Sequence, residues 1–462
     1  MERVIVSSEN IKPDSPTPSH LKTHKLSLLD QIMTPILLHV VLYFPPPSRT
    51  DNHNPQPDLD LFISETTHQL KKSLSLILTR FYPFAGRVNA DDNGHSIDCS
   101  DQGVDFTVAK FPSDNLSDLL ENPAINEILP RHLVPGAESI WQEMDPESRL
   151  LMIQVNYFKC RSIAIGVVFW HKVADATTIT NFLFSWARAN HVGSKQDGRG
   201  ICPNYISQSL FPHRPELVQK PFSPSGILLT PKWSLKRYVF HSDTVISALQ
   251  AKFSGSTKVE VVSAFLWKCF MSASLQNGKS HSFLINAVDL RRRARPPFPS
   301  DCFGNFVCLS PAVSENKEDD DDDVGADLIR KLRDAIRKID DNYVSSLQGD
   351  GGLRSYGEKF SLMYSEIPEG SDHLWISSLC NFGAYGVDFG WGSPVWITPC
   401  CDTSGGLESL RYENTIWLMD TRIGDGIEAW VTLKEDYMPA FDRAMDELRD
   451  LVAAASNSNT IH

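Results

Sequence analysis

His171 and Asp175, four positions apart in the segment FWHKVADATT, form a pair of residues that could carry a reaction. A neutral imidazole is the side chain best suited to take up a proton near neutral pH, and a carboxylate can orient it. No other histidine of the chain has an aspartate four positions further on. The pattern also fits a partly buried histidine that donates to a backbone carbonyl, so the pair alone does not identify an active site.

Asp175 has two possible roles. On one continuous helix it would share a face with His171 and could orient the imidazole as in a catalytic triad. His171 instead follows a strand-like apolar run and precedes the helix-like segment ATTITNFLFSWARA. An aspartate at such a strand-to-helix junction caps the helix that follows. We therefore favour a structural role for Asp175.

The pentapeptide DFGWG, which begins at Asp388, is a second unusual motif. Its two glycines flank Trp391, which indicates close backbone approach or an unusual backbone geometry. Asp388 stands among aromatic residues and needs a cation nearby, and the basic segment DLRRRARPP, with Arg291 as its first arginine, is a candidate partner. We find no G-x-S-x-G, H-E-x-x-H or Walker motif.

The overall composition excludes several classes of protein. A chain of 462 residues is too long for one ordinary core, so two domains or one two-lobed body are expected, and its net charge of −13 argues against nucleic-acid binding. Nine cysteines without a C-x-x-C pair are typical of a reducing compartment. The polar, proline-rich N-terminus differs from a signal peptide, and the longest apolar run, 36–44, is too short to span a membrane. These features predict a cytosolic protein without a metal site.

Helices and strands are interspersed along the chain. Apolar residues with helical spacing predict helices over 70–81, 328–339 and 438–451. LMIQVNYF and IAIGVVFW, and further on IWLMD and IEAWV, predict two β-hairpins. No regular βαβ repeat is present, so a mixed-sheet α/β fold is favoured. The segment 193–231, rich in Pro, Gly and Ser, is predicted to be an interdomain connection, and the acidic run 315–325 a solvated loop.

The order and spacing of H-x-x-x-D and D-F-G-W-G resemble those of the plant BAHD acyltransferases. The resemblance extends over nearly the whole chain, through the segments SPTPSHLKTHKLSLLDQI, LTRFYPFAGRV, AVDLRRRARPPFPSDCFGN and LMDTRIGDGIEAWVTL. The branch that contains vinorine synthase is the most similar, since it shares HK-AD without a following glycine. In the segment SSLCNFGAYG the sequence departs from relatives at Leu379, Asn381 and Gly386.

The resemblance implies two similar-sized α/β lobes with mixed β-sheets flanked by helices, as in chloramphenicol acetyltransferase. It also implies a long crossover loop that joins the lobes and a solvent channel between them. The N-terminal lobe is expected over 1–192, the crossover over 193–231 and the C-terminal lobe over 232–462. A segment around 375–405 is expected to pack with the N-terminal lobe.

The implied activity is transfer of an acyl group from a CoA thioester, with acetyl-CoA as a candidate, to a hydroxyl of a hydrophobic plant metabolite. Alkaloids, terpenoids, naphthoquinones and acylsugars are the candidate acceptor classes. His171 would act as the general base in a ternary complex without an acyl-enzyme, and the monomeric protein would hold no permanent cofactor. The alternatives are an N-acyltransferase, a non-catalytic family member that acts through protein contact, and a thioesterase-like hydrolase.

The resemblance also implies roles for individual residues. The indole N–H of Trp391 or a nearby backbone N–H could stabilise the oxyanion of the tetrahedral intermediate, or Trp391 could line the channel. Asp388 would pair with Arg291 and serve the structure, and Asp175 would point away from His171. Trp170 would narrow the channel beside the base. The predicted substrate-binding residues are Trp170, His39, Asn381 near the acceptor side, and Ser256 and Lys258 along the CoA.

Overall fold

The computed structural model describes residues 1–47, 58–89, 92, 94–122, 129–136, 145–191, 202–217, 228–229, 233–317, 322–399, 411–422 and 426–447. The chain forms two compact units. The first unit comprises Met1–Pro221, Pro299–Phe306 and Phe382–Ser404, and the second Phe222–Phe298, Val307–Asn381 and Gly405–His462. The segment Pro299–Phe306 thus belongs to the first unit, although the sequence analysis assigned it to the C-terminal lobe. Much of the predicted connection 193–231 lies outside the described residues.

The described strands are β1 (Val4–Ile11), β2 (Thr23–Lys25), β3 (Leu37–Phe44), β4 (Arg87–Val88), β5 (Ser96–Asp98), β6 (Val104–Phe111), β7 (Leu151–Phe158), β8 (Ile163–Trp170), β9 (Leu228–Leu229), β10 (Trp233–Phe240), β11 (His281–Asp289), β12 (Val307–Glu315), β13 (Asp372–Ser378), β14 (Trp396–Pro399), β15 (Arg411–Tyr412), β16 (Thr415–Asp420) and β17 (Ile427–Lys434). The described helices are α1 (Leu28–Ile32), α2 (Leu59–Leu78), α3 (Leu116–Leu120), α4 (Leu129–His132), α5 (Ala176–His191), α6 (Ser207–Leu210), α7 (Ser247–Lys252), α8 (Lys258–Gln276), α9 (Asp322–Arg337), α10 (Asp341–Ser346), α11 (Gly352–Ser365) and α12 (438–447). Strands and helices alternate irregularly in both units, as the mixed-sheet interpretation required.

The first unit is built on a six-stranded mixed sheet in the order β1-β6-β7-β8-β3-β14. The pair β6–β7 is parallel and the other pairs are antiparallel, which confirms the predicted β7–β8 hairpin. All eight residues of β8 are buried, because the strand is apolar on both faces. Helices α2 and α5 pack against each other, and the Trp186 indole N–H of α5 donates to Leu70 O and Ser73 Oγ of α2 over 3.2 and 3.1 Å. A small sheet, β2-β5-β4, completes the unit.

The second unit contains a six-stranded mixed sheet in the order β10-β17-β16-β13-β11-β12. Strand β13 runs parallel to β11 and β16, and the remaining pairs are antiparallel, which confirms the predicted β16–β17 hairpin. Helix α8 provides much of the core, since 12 of its 19 residues are buried. It begins with a capping box in which Thr257 and Glu260 satisfy each other's backbone N–H groups.

Two of the three predicted helices correspond to α2 and α9, and the third to α12 as far as the chain is described. The acidic run was predicted to be a loop through residue 325, yet α9 begins at Asp322. Acidic side chains are favourable at a helix N-terminus, where the backbone N–H groups carry partial positive charge, so the run can start the helix. Within the described part of the chain, no helix combines the length and the apolar character needed to cross a bilayer.

Candidate active site

His171 follows β8 directly, and its backbone is fixed from both sides. Its N–H donates to Ile36 O over 2.8 Å, which continues the pairing of Trp170 with Leu37 between β8 and β3. Its carbonyl accepts a hydrogen bond of 2.8 Å from the Asn305 side-chain amide. The β-sheet register and a distant loop therefore jointly determine where the imidazole lies.

The His171 ring has a defined protonation pattern. Nδ1 lies 3.1 Å from Ala174 O, and because a carbonyl only accepts, Nδ1 must carry the hydrogen. In the neutral ring the lone pair then resides on Nε2, which is the atom that a general base uses. Burial lowers the pKa of His171, while the charge of Asp175 and hydrogen bonds at the ring and backbone oppose this shift. A pKa below 6.5 leaves the imidazole neutral near pH 7, with its basic nitrogen at Nε2.

Asp175 connects the start of α5 to the segment Gly304–Phe306. One carboxylate oxygen accepts the Thr178 N–H over 2.9 Å, as an N-cap does, and the other accepts the Phe306 N–H over 3.0 Å. The side chain is buried, so each of these bonds forms in a site that excludes water. These contacts support the structural role that the sequence analysis favoured for Asp175.

The turn Gly304-Asn305-Phe306 is held against the H-x-x-x-D segment by reciprocal contacts. The Thr178 hydroxyl donates to Gly304 O over 2.9 Å and lies 3.2 Å from Gly304 N, which can donate back. Gly304 has φ +111°, a conformation that L-residues avoid, and a Cβ there would lie 3.3 Å from a carboxylate oxygen of Asp30. A glycine is thus required for Asn305 to reach His171.

Asp30 supports Asn305 from the other side. Its Oδ1 accepts both the Asn305 backbone N–H and the side-chain amide, over 2.8 and 2.9 Å. Its Oδ2 accepts from the backbone and hydroxyl of Ser27, in the capping box that starts α1. Burial raises the pKa of Asp30, and these hydrogen bonds oppose that shift. The hydrogen bonds from Asp30 through the Asn305 amide N–H groups to His171 therefore involve two buried side chains, those of Asp30 and Asn305.

The sequence analysis did not identify Asp30, Asn305 or the buried Lys172 as parts of the site. A signal existed for Asp30, because the S-x-x-D spacing in KLSLLDQ is that of a capping box. Asn305 ends the segment AVDLRRRARPPFPSDCFGN, which contributes to the resemblance, but its contact with His171 joins residues 134 positions apart and has no local signature.

The DFGWG motif forms a tight loop around its own aspartate. Asp388 Oδ1 accepts the N–H groups of Gly390 and Gly392, each over 2.8 Å. Both glycines have positive φ, +105° and +103°, which confirms the unusual backbone predicted from their spacing. The carboxylate of the motif therefore stabilises the loop conformation.

Trp391 lies far from His171 within the first unit. Its ring packs against Phe44, with 6.0 Å between the ring centroids, and Phe44 ends β3 opposite Ile163. His171 lies beyond the other end of the same strand pair, after Leu37 and Trp170. Seven residue steps of about 3.3 Å separate the two ends by roughly 23 Å. The oxyanion role expected for the Trp391 indole requires a position beside His171, so this geometry corrects that assignment.

His39 and Trp170 lie on one face of the sheet of the first unit. His39 pairs with Val168 and Leu37 with Trp170, so the two side chains are diagonal neighbours on β3 and β8. His39 is 8% exposed and Trp170 is wholly buried. A direct contact between Trp170 and a substrate would require the surrounding side chains to open, and the predicted binding roles of both residues stay predictions.

Three other predicted residues, Asn381, Lys258 and Ser256, belong to the second unit. Asn381 has φ +65° and its N–H donates to an Asp420 carboxylate oxygen over 2.8 Å. The charge of Lys258 acts on the same carboxylate, against the burial that raises the pKa of Asp420. Ser256 accepts a hydrogen bond of 3.0 Å from Arg333. Their proposed substrate contacts stay predictions.

Arg291 is also a residue of the second unit, whereas Asp388 belongs to the first. The Arg291 side chain is 2% exposed and its guanidinium forms an ion pair with Asp289 over 3.2 Å. The predicted pair between Arg291 and Asp388 stays a prediction. Among the described residues, no three His, Cys, Asp or Glu side chains gather at one point as metal ligands would.

Comparisons with known proteins agree over almost the full length of the chain. The model of the family described as the Transferase family matches residues 3–448. Stemmadenine O-acetyltransferase of Catharanthus roseus is 34% identical, with 94% of each chain covered. A limonoid 7-O-acetyltransferase of Citrus sinensis is 35% identical, with 95% of each chain covered.

Solved structures give the same result for the fold. The crystal structure of vinorine synthase superposes with a TM-score of 0.76 at 30% identity, covering 95% of this chain and 96% of that one. F. sporotrichioides TRI101, solved with coenzyme A and T-2, has a TM-score of 0.64 at 15% identity and covers 91% of this chain and 97% of its own, a likeness of fold. The chain belongs to the Transferase (BAHD) family and is an acyl-CoA-dependent acyltransferase.

Proposed function

We propose that the protein transfers an acetyl group from acetyl-CoA to a hydroxyl of a hydrophobic, polycyclic plant metabolite of the alkaloid or limonoid type. The relatives named above are O-acetyltransferases of stemmadenine and of limonoids, which supports this acceptor class. The observation that carries the mechanism is the bond of the His171 Nδ1–H to Ala174 O, because it leaves Nε2 free to accept a proton. The sequence-based expectations of a cytosolic location and a monomeric state stay predictions.

In the proposed reaction, His171 Nε2 takes the proton of the acceptor hydroxyl while the hydroxyl oxygen attacks the thioester carbonyl. The C–O bond forms and the carbonyl π electrons move onto oxygen, giving a tetrahedral intermediate. When this intermediate collapses, the C–S bond breaks and the imidazolium returns its proton to the leaving thiolate. The products are an ester and CoA thiol, and His171 is again neutral.

A thiol-release assay tests the proposal with acetyl-CoA and a panel of alcohols and amines. We expect thiol release that depends on an alcohol from the alkaloid or limonoid class, with a new ester detected by mass spectrometry. Preference for amines would identify an N-acyltransferase. Thiol release without any acceptor would identify a hydrolase, and absence of both thiol release and acetyl-CoA binding would support a non-catalytic role.

The pH dependence of kcat follows from the environment of His171. Because burial lowers the pKa of its imidazole below the ordinary 6.5, the base should remain neutral at pH 7 and become protonated only in more acid solution. We expect kcat to be full above the His171 pKa and to fall as the pH drops through it, with a midpoint below 6.5. Steady-state kinetics at saturating substrates measure this decline, the acid limb of the pH profile. A midpoint above 6.5 would contradict the assignment of His171 as the general base.

We further propose that the CoA phosphates bind a cationic cavity in the second unit. The cavity measures about 300 Å³ and is lined by the end of α7, the following loop with Ser256, and one side of α9. Its basic residues are Lys252, Arg330, Arg333 and Arg337, and its lining carboxylate is Asp334. Two further carboxylates, Asp327 and Glu260, form ion pairs with Arg330 and Arg333, so the four cations exceed these three carboxylates by one. In a chain of net charge −13 such a concentration of cations favours an anionic ligand.

Replacing Arg330 and Arg337 together by glutamine should raise the KM for acetyl-CoA roughly fivefold, since two exposed ion pairs are lost. The KM for the acceptor and kcat should not change. Arg354→Gln on α11, where the arginine is exposed and pairs only locally with Glu358 as far as the contacts are described, is the matched control. An unchanged KM for acetyl-CoA in the double variant would exclude this cavity as the phosphate site.

A further inference from the structure

Lys172, the residue after the base, is a buried cation with an unusual set of contacts. Its side chain is wholly buried, and its Nζ donates to Gln31 O over 2.8 Å and to Met33 O over 2.9 Å. These carbonyls lie at the C-terminal end of α1, where the partial negative charge of the helix favours a cation. A buried lysine is costly compared with an apolar residue of similar size, so its position here needs a functional reason.

The segment that Lys172 binds is also the segment that holds His171. The carbonyl of Thr34, the residue after Met33, accepts the Ile36 N–H, and Ile36 O accepts the His171 N–H. Lys172 therefore fastens the stretch between α1 and β3 to the H-x-x-x-D segment at one end, while His171 is bonded to it at the other. If the ammonium is lost, the Gln31 and Met33 carbonyls lose their donor, and Ile36 is less firmly placed.

Asp30 links the same region to the opposite side of His171. Its carboxylate binds Asn305, which in turn donates to the His171 carbonyl, and its charge acts on Lys172. The N–H and C=O groups of His171 are thus both held by residues that depend on α1 and its C-terminal end. Lys172 donates hydrogen bonds to the carbonyls at that end of α1, and its positive charge interacts with Asp30.

We propose that Lys172 is a positioning residue for acyl transfer, which fastens the segment Gln31–Ile36 to the backbone of His171 and carries a positive charge one residue from it in the chain. This inference rests on the proposed role of His171 as the general base. Lys172 touches neither the acceptor nor the thioester in this proposal, and acts through the placement and basicity of His171.

The charge of Lys172 has a measurable consequence for the base. Burial lowers the pKa of Lys172 to about 7, with the Asp30 charge opposing, so the ammonium is present in the acid range where His171 titrates. Its charge interacts with Asp30 of α1 and with His95, the residue before β5, while His171 and Asp175 are its neighbours along the chain. A nearby positive charge disfavours the imidazolium, so removing it raises the pKa of His171.

The test is Lys172→Met, which keeps the unbranched side chain and removes the charge and both hydrogen bonds. We expect kcat to fall about tenfold or more, because a misplaced base costs on the order of tenfold to a hundredfold, while both KM values stay within twofold. The acid limb of kcat should move to higher pH by about half a unit. Lys25→Met, an exposed lysine on β2, is the control and should match the wild type.

Lys172→Gln provides a second variant, since its amide can donate to one carbonyl but carries no charge. It should show the full shift of the acid limb with a smaller loss of kcat. A wild-type acid limb and kcat in either folded variant would overturn the inference. If His171→Asn were active, the proposed function would fail instead, so the two failures are distinguishable.

The wild-type protein allows a measurement that does not depend on the variants folding. Carbon-13 NMR of the Lys172 side chain at pH 6 reports whether the amine is charged. A charged amine there is expected, and a neutral amine would overturn the inference.

Discussion

Replacement of His171 by alanine is expected to lower kcat by about 100-fold to 10,000-fold, the contribution of a positioned general base. Without the imidazole, the acceptor hydroxyl loses the Nε2 atom that takes its proton as the C–O bond forms. The backbone bonds of His171 to Ile36 and Asn305 do not involve the ring and should persist. The fold and the KM for acetyl-CoA should therefore remain close to those of the wild type.

His171→Asn separates the chemical role from a structural one. The asparagine amide can replace the Nδ1–H bond to Ala174 O, but it cannot accept a proton at neutral pH. If the ring served only to hold the turn, asparagine would restore activity, whereas we expect it to be as inactive as alanine. His20→Ala, at an exposed histidine, is the control and should behave as the wild type.

Thiol release measures the rate for these variants, circular dichroism the fold, and isothermal titration the binding of acetyl-CoA. Wild-type activity in a correctly folded His171→Asn protein would contradict the proposed mechanism. Loss of acetyl-CoA binding in both variants would instead place His171 in the binding of the donor.

Local sequence patterns predicted the elements that form from residues close together in the chain or that bury a regularly spaced apolar face. The β7–β8 and β16–β17 hairpins could be predicted because each joins two apolar runs through a short polar turn. Helix α2 could be predicted because its buried residues repeat at helical spacing. The return of Pro299–Phe306 to the first unit could not be predicted from periodicity, since that short segment has neither a helical nor a strand pattern.

In the candidate site, too, residues with a local sequence pattern were predicted and residues placed by tertiary structure were not. His171 and Asp175 were found because their spacing in the chain is short and their resemblance to a family motif is specific. Asn305 was missed because it reaches His171 through tertiary structure alone. A chemical role was expected for Trp391 from the family resemblance. The motif around it instead serves the backbone, since both flanking glycines have positive φ.

Asp175→Asn is expected to lower stability and kcat together. The asparagine oxygen can still cap α5 at Thr178, but the amide NH₂ then faces the Phe306 N–H, so two donors meet in a buried site. Leaving such a group unsatisfied costs about 1–3 kcal/mol. The displaced Gly304–Phe306 turn moves Asn305 and with it His171, and we expect kcat to fall about 10-fold to 100-fold.

The pH profile and a matched cap variant distinguish this role of Asp175 from that of a triad carboxylate. Because the charge of Asp175 raises the pKa of His171, its removal should shift the acid limb of kcat to lower pH. Asp340→Asn at the start of α10, where the aspartate accepts the Tyr343 N–H, should cost little, since asparagine caps a helix as well as aspartate does. Any loss of thermal stability in Asp175→Asn beyond that in Asp340→Asn then reports the contribution of the hydrogen bond from the Phe306 N–H. A triad carboxylate would lose about 10,000-fold in kcat upon this change with stability intact, and that result would contradict the structural role.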